Sequence, residues 1–123
     1  MAVTLGNYAH AEPADAGHTT TAATFPSATT AGRTLVLAFL EHQGSIATVT
    51  TPSGWTLRVA GTAQRVHIYT KVASGSETTV TVSHTNMTKS IIFMGELSAG
   101  ATYNALNTTW TNGSAVHPVP DVS

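Results

Sequence analysis

Beyond residue 33 the apolar positions come in short runs bounded by Gly, Pro, Ser or Asn, without the three-to-four residue recurrence of an amphipathic helix. Such punctuation predicts strands. The stretch 34–41, TLVLAFLE, is apolar at both parities and predicts a central strand, entered from a turn at Ala31-Gly32. Residues 46–50 alternate, Pro52-Ser53-Gly54 supplies turn chemistry, and a further strand is expected over 55–60. The cleanest period-two segment is 64–73, where Val66, Ile68, Thr70 and Val72 are expected to face the core and Arg65, His67, Tyr69 and Lys71 the opposite side. After Ser74-Gly75-Ser76, expected to turn a hairpin, residues 78–84 place Val80 and Val82 inward. Residues 90–97, SIIFMGEL, predict a second strand apolar on both sides, with Gly95 marking a bulge.

These elements predict an all-β fold, an antiparallel β-sandwich of jelly-roll or immunoglobulin-like type, in one domain over residues 1–123. A domain of this size buries about two thirds of the surface its unfolded chain exposes, enough for one ordinary core. The ends are poorer in large apolar groups. About 1–33 and about 101–123 are expected to be extended arms or edge strands, anchored by Val3, Leu5, Tyr8 and Phe25 and by Tyr103, Leu106, Trp110, Val116, Val119 and Val122. Arms of this kind gain burial from a neighbouring subunit, so an oligomer or lattice is expected.

Charged residues are 9% of the chain against roughly 25% in an average soluble domain, so the surface must be mostly hydroxyl and backbone. The formal net charge is −1 and the five basic residues are dispersed, which removes the phosphate-neutralising stripe that nucleic acid requires and disfavours a membrane surface. There is no cysteine, so stability owes nothing to disulfides. The longest apolar run, 35–40, is too short to span a bilayer, and the first residues lack signal-peptide features; a soluble protein made in a cytoplasm is expected. Abundant Thr suits strand faces, and the Thr-X-Thr pairs do not recur at the fixed repeat of a regular surface-binding plane.

Candidate chemistry is sparse. None of the six histidines, His10, His18, His42, His67, His84 and His117, has a partner at ligand-motif spacing, so no metal and no cofactor are expected. Glu41 and Glu96, at the ends of the two most apolar strands, are the best-placed pair for acid–base work on one bond, yet no motif surrounds them. There is no Gly-X-Ser-X-Gly elbow and no phosphate-cradling glycine loop, and no enzyme is expected. Three tripeptides, beginning at Asn86, Asn107 and Asn112, fit the N-glycosylation acceptor pattern, as chance provides in a Thr-rich chain. Trp55, directly after its turn, is expected to plug the core, whereas Tyr69, Tyr103 and Trp110 are the candidates for an interface or for stacking on a sugar ring.

The order Ala31-Gly32-Arg33-Thr34-Leu35-Val36, then Thr51-Pro52-Ser53-Gly54-Trp55-Thr56-Leu57, then Tyr69-Thr70-Lys71-Val72-Ala73-Ser74-Gly75-Ser76-Glu77-Thr78, closing with Gly95-Glu96-Leu97-Ser98-Ala99-Gly100, resembles a jelly-roll or immunoglobulin-like sandwich domain of tailed-bacteriophage virion proteins. The likeness covers about residues 19–100 and is most specific in its middle pair, where Gly54, Trp55, Lys71 and Gly75 stand out as structural motif residues. It implies a virion structural protein assembled in the bacterial host cytoplasm, a small decoration or accessory protein of capsid or tail. The implied partners are the major capsid or tail protein and other copies of itself, bound through edge strands and arms. The alternative is a carbohydrate-binding or receptor-binding module of a tail fibre, taking a host glycan.

Overall fold

The computed structural model describes residues 3–13, 16–41, 48–60, 65–87 and 89–101, leaving out the side chain of Asn86. The chain is organised by its two most apolar strands, which lie side by side. β1 is Leu5–Ala11, β2 His18–Thr24, β3 Thr34–Glu41, β4 Val49–Thr50, β5 Thr56–Val59, β6 Val66–Val72, β7 Thr79–Met87 and β8 Ser90–Leu97. A five-stranded sheet runs β1-β8-β3-β6-β5 and a three-stranded sheet β2-β7-β4, with every pairing antiparallel. No described residue is helical. The protein is an all-β, two-sheet antiparallel sandwich.

Alternation decides which side chains meet between the sheets. Leu35, Leu37 and Phe39 of β3 and Ile92 and Met94 of β8 are wholly buried and pack with Ala23, Val80, Val82 and Met87 from the smaller sheet in one core cluster. Trp55 and Phe25 fill the same core from loops, Trp55 following a turn closed by its N–H on the Pro52 carbonyl. Gly54, at φ 79°, takes the left-handed position that this turn needs. The outer side of the smaller sheet is hydroxylic: Thr20, Thr24, Thr79, Thr81 and Ser83 are all exposed there, and the hydroxyls of Thr24 and Thr79 bond each other at 2.9 Å.

Three expectations are corrected. The inward face of β6 carries His67, Tyr69 and Lys71, because these pair with Phe39, Leu37 and Leu35 on the inward face of β3. Val72, expected inside, is 69% exposed. The Ser74-Gly75-Ser76 segment turns no hairpin: β6 belongs to the large sheet and β7 to the small one, so the segment carries the chain across. The bulge expected at Gly95 lies on the partner strand, where β1 gains a residue between Leu5 and Tyr8, while Gly95 stays in register with Val36. Gly95 is there for another reason, since a Cβ on it would come within 2.5 Å of Leu5 Cδ1.

The N-terminal segment does not extend away as an arm. β1 pairs with β8 and β2 with β7, so the first part of the chain supplies one edge strand to each sheet. The expected C-terminal arm lies outside the described residues from 102 onward.

Candidate interaction surface

The motif residues singled out in the sequence converge at the end of the sandwich where β3 begins. Lys71 runs from β6 past Gly54, whose Cβ would lie 3.6 Å from Lys71 Cε, and reaches Glu77 Oε1 with its Nζ at 2.9 Å. The Glu77 carboxylate also accepts the Thr29 hydroxyl at 2.6 Å and the N–H groups of Ser74 and Gly75. Burial pushes this carboxyl up, yet the hydrogen bonds from Thr29, Ser74 and Lys71 outweigh it and hold the group well below the usual carboxylate range. Gly75, at φ 94°, brings its Cα so close to Ala31 that a Cβ would sit 3.1 Å from Ala31 Cβ. Gly75→Ala is therefore expected to cost about 1–3 kcal/mol in chemical denaturation, from a disfavoured backbone region and a contact that only main-chain movement relieves. Glu96 joins the same corner, accepting the Thr30 N–H at 2.9 Å with Arg33 Nε 3.6 Å away. Gly54, Lys71 and Gly75 thus meet at the crossing between sheets, while Trp55 carries on from Gly54 into the core.

The opposite end holds a polar chain inside the core. His18 Nε2 meets Ser90 Oγ at 2.9 Å, Ser90 Oγ meets Thr21 Oγ1 at 2.6 Å, and Thr21 Oγ1 meets His84 Nε2 at 2.9 Å. Each Nδ1 faces a carbonyl, Ala16 O for His18 and Thr85 O for His84, and so must donate. His84 stacks on Phe39 with ring centroids 5.4 Å apart, and His67 Nε2 lies 3.4 Å from the buried Glu41 carboxylate.

The Ser90–His18 spacing suits a nucleophile and its base, but Ser90 is only 2% exposed, and no substrate bond can reach it without opening the sandwich. Glu41 pairs with Ser90, and Glu96 with Leu35, across the same two strands, which separates the carboxylates by six strand positions, about 20 Å. They cannot flank one glycosidic bond. Among the described residues no three His, Asp or Glu side chains come together to hold a metal ion.

Tyr69 is 1% exposed, and burial raises its hydroxyl pKa above the ordinary tyrosine value. It offers no ring face to a sugar, because its pairing with Leu37 turns it inward. Tyr103 and Trp110 lie outside the described residues. Among the described residues the most open aromatic is Tyr8, 57% exposed on β1, which lines a shallow groove of about 440 Å³ with Gly6, Asn7, His10, Thr24 and Pro26. Its signal in the sequence was faint, a single tyrosine in a segment otherwise read as an arm.

Among the described residues, apolar side chains also gather on the outer face of the five-stranded sheet. Register places Val36, Ala38 and Leu40 of β3 beside Ile91 and Phe93 of β8 on one flank and Val66 and Ile68 of β6 on the other. Leu5 and Tyr8 of β1 extend the row over Gly95. Val36, Ala38, Val66, Ile68 and Phe93 are half-buried, and Leu5, Tyr8, Leu40, Ile91 and Val72 are exposed. Arg58 Nε donates to the Thr70 hydroxyl at 2.7 Å. An apolar sheet face this broad, opposite a hydroxylic one on the other sheet, has the character of a docking surface. Both edges of the same sheet are irregular: β1 bulges between Leu5 and Tyr8, where Asn7 is tied to Ser27, and β5 bulges between Leu57 and Val59. Bulged edges resist strand addition.

Comparison of the chain with protein-family models, curated proteins and solved structures found no match.

Proposed function

We propose that this chain is a non-enzymatic structural protein of a tailed-bacteriophage virion, a small decoration or accessory protein on the surface of the capsid or tail. The observation that carries the reading is the apolar outer face of the five-stranded sheet, a docking surface in a domain whose carboxylates and Ser–His contact are placed for packing. Burying apolar area there is worth roughly 25 cal/mol per Å², and symmetry repeats a modest contact over a lattice into stable attachment. The partners are the major capsid or tail protein and neighbouring copies of this chain. The resemblance of the Gly54-Trp55 and Lys71 to Glu77 stretches to virion sandwich domains supports the same class. Imaging particles assembled with and without the protein tests the reading: density on head or tail is expected to disappear in its absence, and identical particles would refute it.

A second reading, a carbohydrate-binding module on a fibre, is favoured by Tyr8 alone, an open ring beside Asn7 and His10 in a groove. Under that reading glycan-array binding is abolished by Tyr8→Ala, whereas no binding by the parent protein removes it.

A further inference from the structure

We propose that the hydroxylic outer face of the three-stranded sheet is a binding plane for ordered water, and that the ligand it takes is the surface of an ice crystal. The Thr-X-Thr pairs follow no fixed repeat along the sequence, but strand pairing aligns them all the same.

β7 sets the plane. Thr79, Thr81, Ser83 and Thr85 point outward and are exposed, while Val80, Val82 and His84 between them are buried. The flanking strands continue these positions as rows. Thr24 lies beside Thr79, Ala22 beside Thr81, and Thr20 and Thr50 on either side of Ser83. The Thr85 N–H bonds the Thr48 carbonyl at 2.9 Å and the Thr85 hydroxyl accepts the Thr48 N–H at 3.1 Å, which adds a further row. Alternate residues of a strand stand about 6.7 Å apart and neighbouring strands about 4.8 Å apart, so the hydroxyls and methyls form a near-rectangular net. That net is close to the oxygen repeats on a prism face of ordinary ice. Strand twist of about 20° turns the outer rows, so the match is best along β7 and its direct partners.

The chemistry of the net selects the ligand. None of these positions carries a charge with which a polyanion or polycation could pair, and none carries an aromatic ring on which a sugar could stack. Each hydroxyl both donates and accepts, as water does, and Thr24 and Thr79 share one hydrogen bond and keep a second hydroxyl proton for a ligand. A water bridging such groups is nearly as favourable as a direct hydrogen bond, and its main cost is the entropy of holding the molecule still. Molecules at an ice surface have already lost that freedom. A rigid net of modest contacts, made together, therefore holds a crystal face where it would not hold liquid water.

Growing ice slowly from a dilute solution of the protein tests the proposal, because a crystal excludes ordinary proteins. The parent is expected to be enriched several-fold in the ice over an excluded control protein, and to slow recrystallisation in a frozen sucrose film. Thr81→Lys puts a long charged side chain at the middle of the net and is expected to fall to the excluded level while keeping its β-sheet circular dichroism, since Thr81 is exposed. Ile91→Lys, on the larger sheet, is expected to be captured like the parent. Exclusion of the parent from ice overturns the proposal, as does undiminished capture of Thr81→Lys or loss of capture in a folded Ile91→Lys. Adsorption of the parent to crystalline cellulose without capture in ice assigns the face to a polysaccharide and overturns it too. Should Thr81→Lys fail to fold, Ser83→Lys in the next row decides in the same way. Particle imaging decides the docking role separately, since that role belongs to the other sheet.

Discussion

Phe39→Ala is expected to destabilise the protein by about 3–5 kcal/mol, a large fraction of the roughly 5–15 kcal/mol that holds a typical domain folded. The ring is fully buried in β3, stacks on His84 with centroids 5.4 Å apart and lies 6.1 Å from His67. Truncation therefore removes more than apolar area: it leaves a cavity against the side chains that also hold the Thr21–Ser90 hydroxyl pair and the Glu41 carboxylate. Denaturant titration followed by circular dichroism measures the loss. Phe39→Leu is expected to cost much less, and equal costs would show that the ring contacts contribute little.

The second large effect is at Glu77. Glu77→Ala leaves the Lys71 ammonium, the Thr29 hydroxyl and the Ser74 and Gly75 N–H groups without their acceptor, and is expected to cost about 2–4 kcal/mol at neutral pH. The pH dependence has a defined sign. A carboxyl held below its ordinary range in the folded state contributes stability that is fully present above the unfolded glutamate pKa, about 4.3, and is lost as pH falls below it. Denaturation midpoints of the parent chain are thus expected to fall more steeply below about pH 4.3 than those of Glu77→Gln, converging in strong acid. Parallel curves would place the acid sensitivity elsewhere.

Much of the architecture was legible along the chain because strands announce themselves by local pattern. The expected spans 34–41 and 90–97 coincide with β3 and β8, and Val80 and Val82 do face inward on β7. What local pattern could not give is the choice of face when both faces of a sheet are apolar. On β6 the alternation favoured Val66, Ile68, Thr70 and Val72 by hydrophobicity, but pairing with β3 imposed the other parity. The polar tips tolerate it because Lys71 reaches Glu77 and His67 faces Glu41. Which sheet a strand joins was equally hidden, since Ser74-Gly75-Ser76 reads the same in a hairpin as in a crossing. The candidate surface was missed for a related reason: it is assembled from β1, β8, β3 and β6, none of which is sequence-adjacent to its neighbour in that row. Glu77 was visible inside a motif, but its four partners come from three separate segments.

Among the described strands only β5 and β6 are consecutive neighbours within one sheet; every other link passes from one sheet to the other. β1 in particular waits for β8, the last strand described, before it has anything to pair with. Most contacts are therefore made between distant parts of the chain, and the ordering entropy of long loops is spent before those contacts repay it. Folding should be slow and all-or-none, with neither sheet surviving as a stable intermediate. On the ribosome the N-terminal strands stay unpaired until nearly the whole sandwich has emerged, a period in which Tyr8 and Leu5 are exposed to other nascent chains.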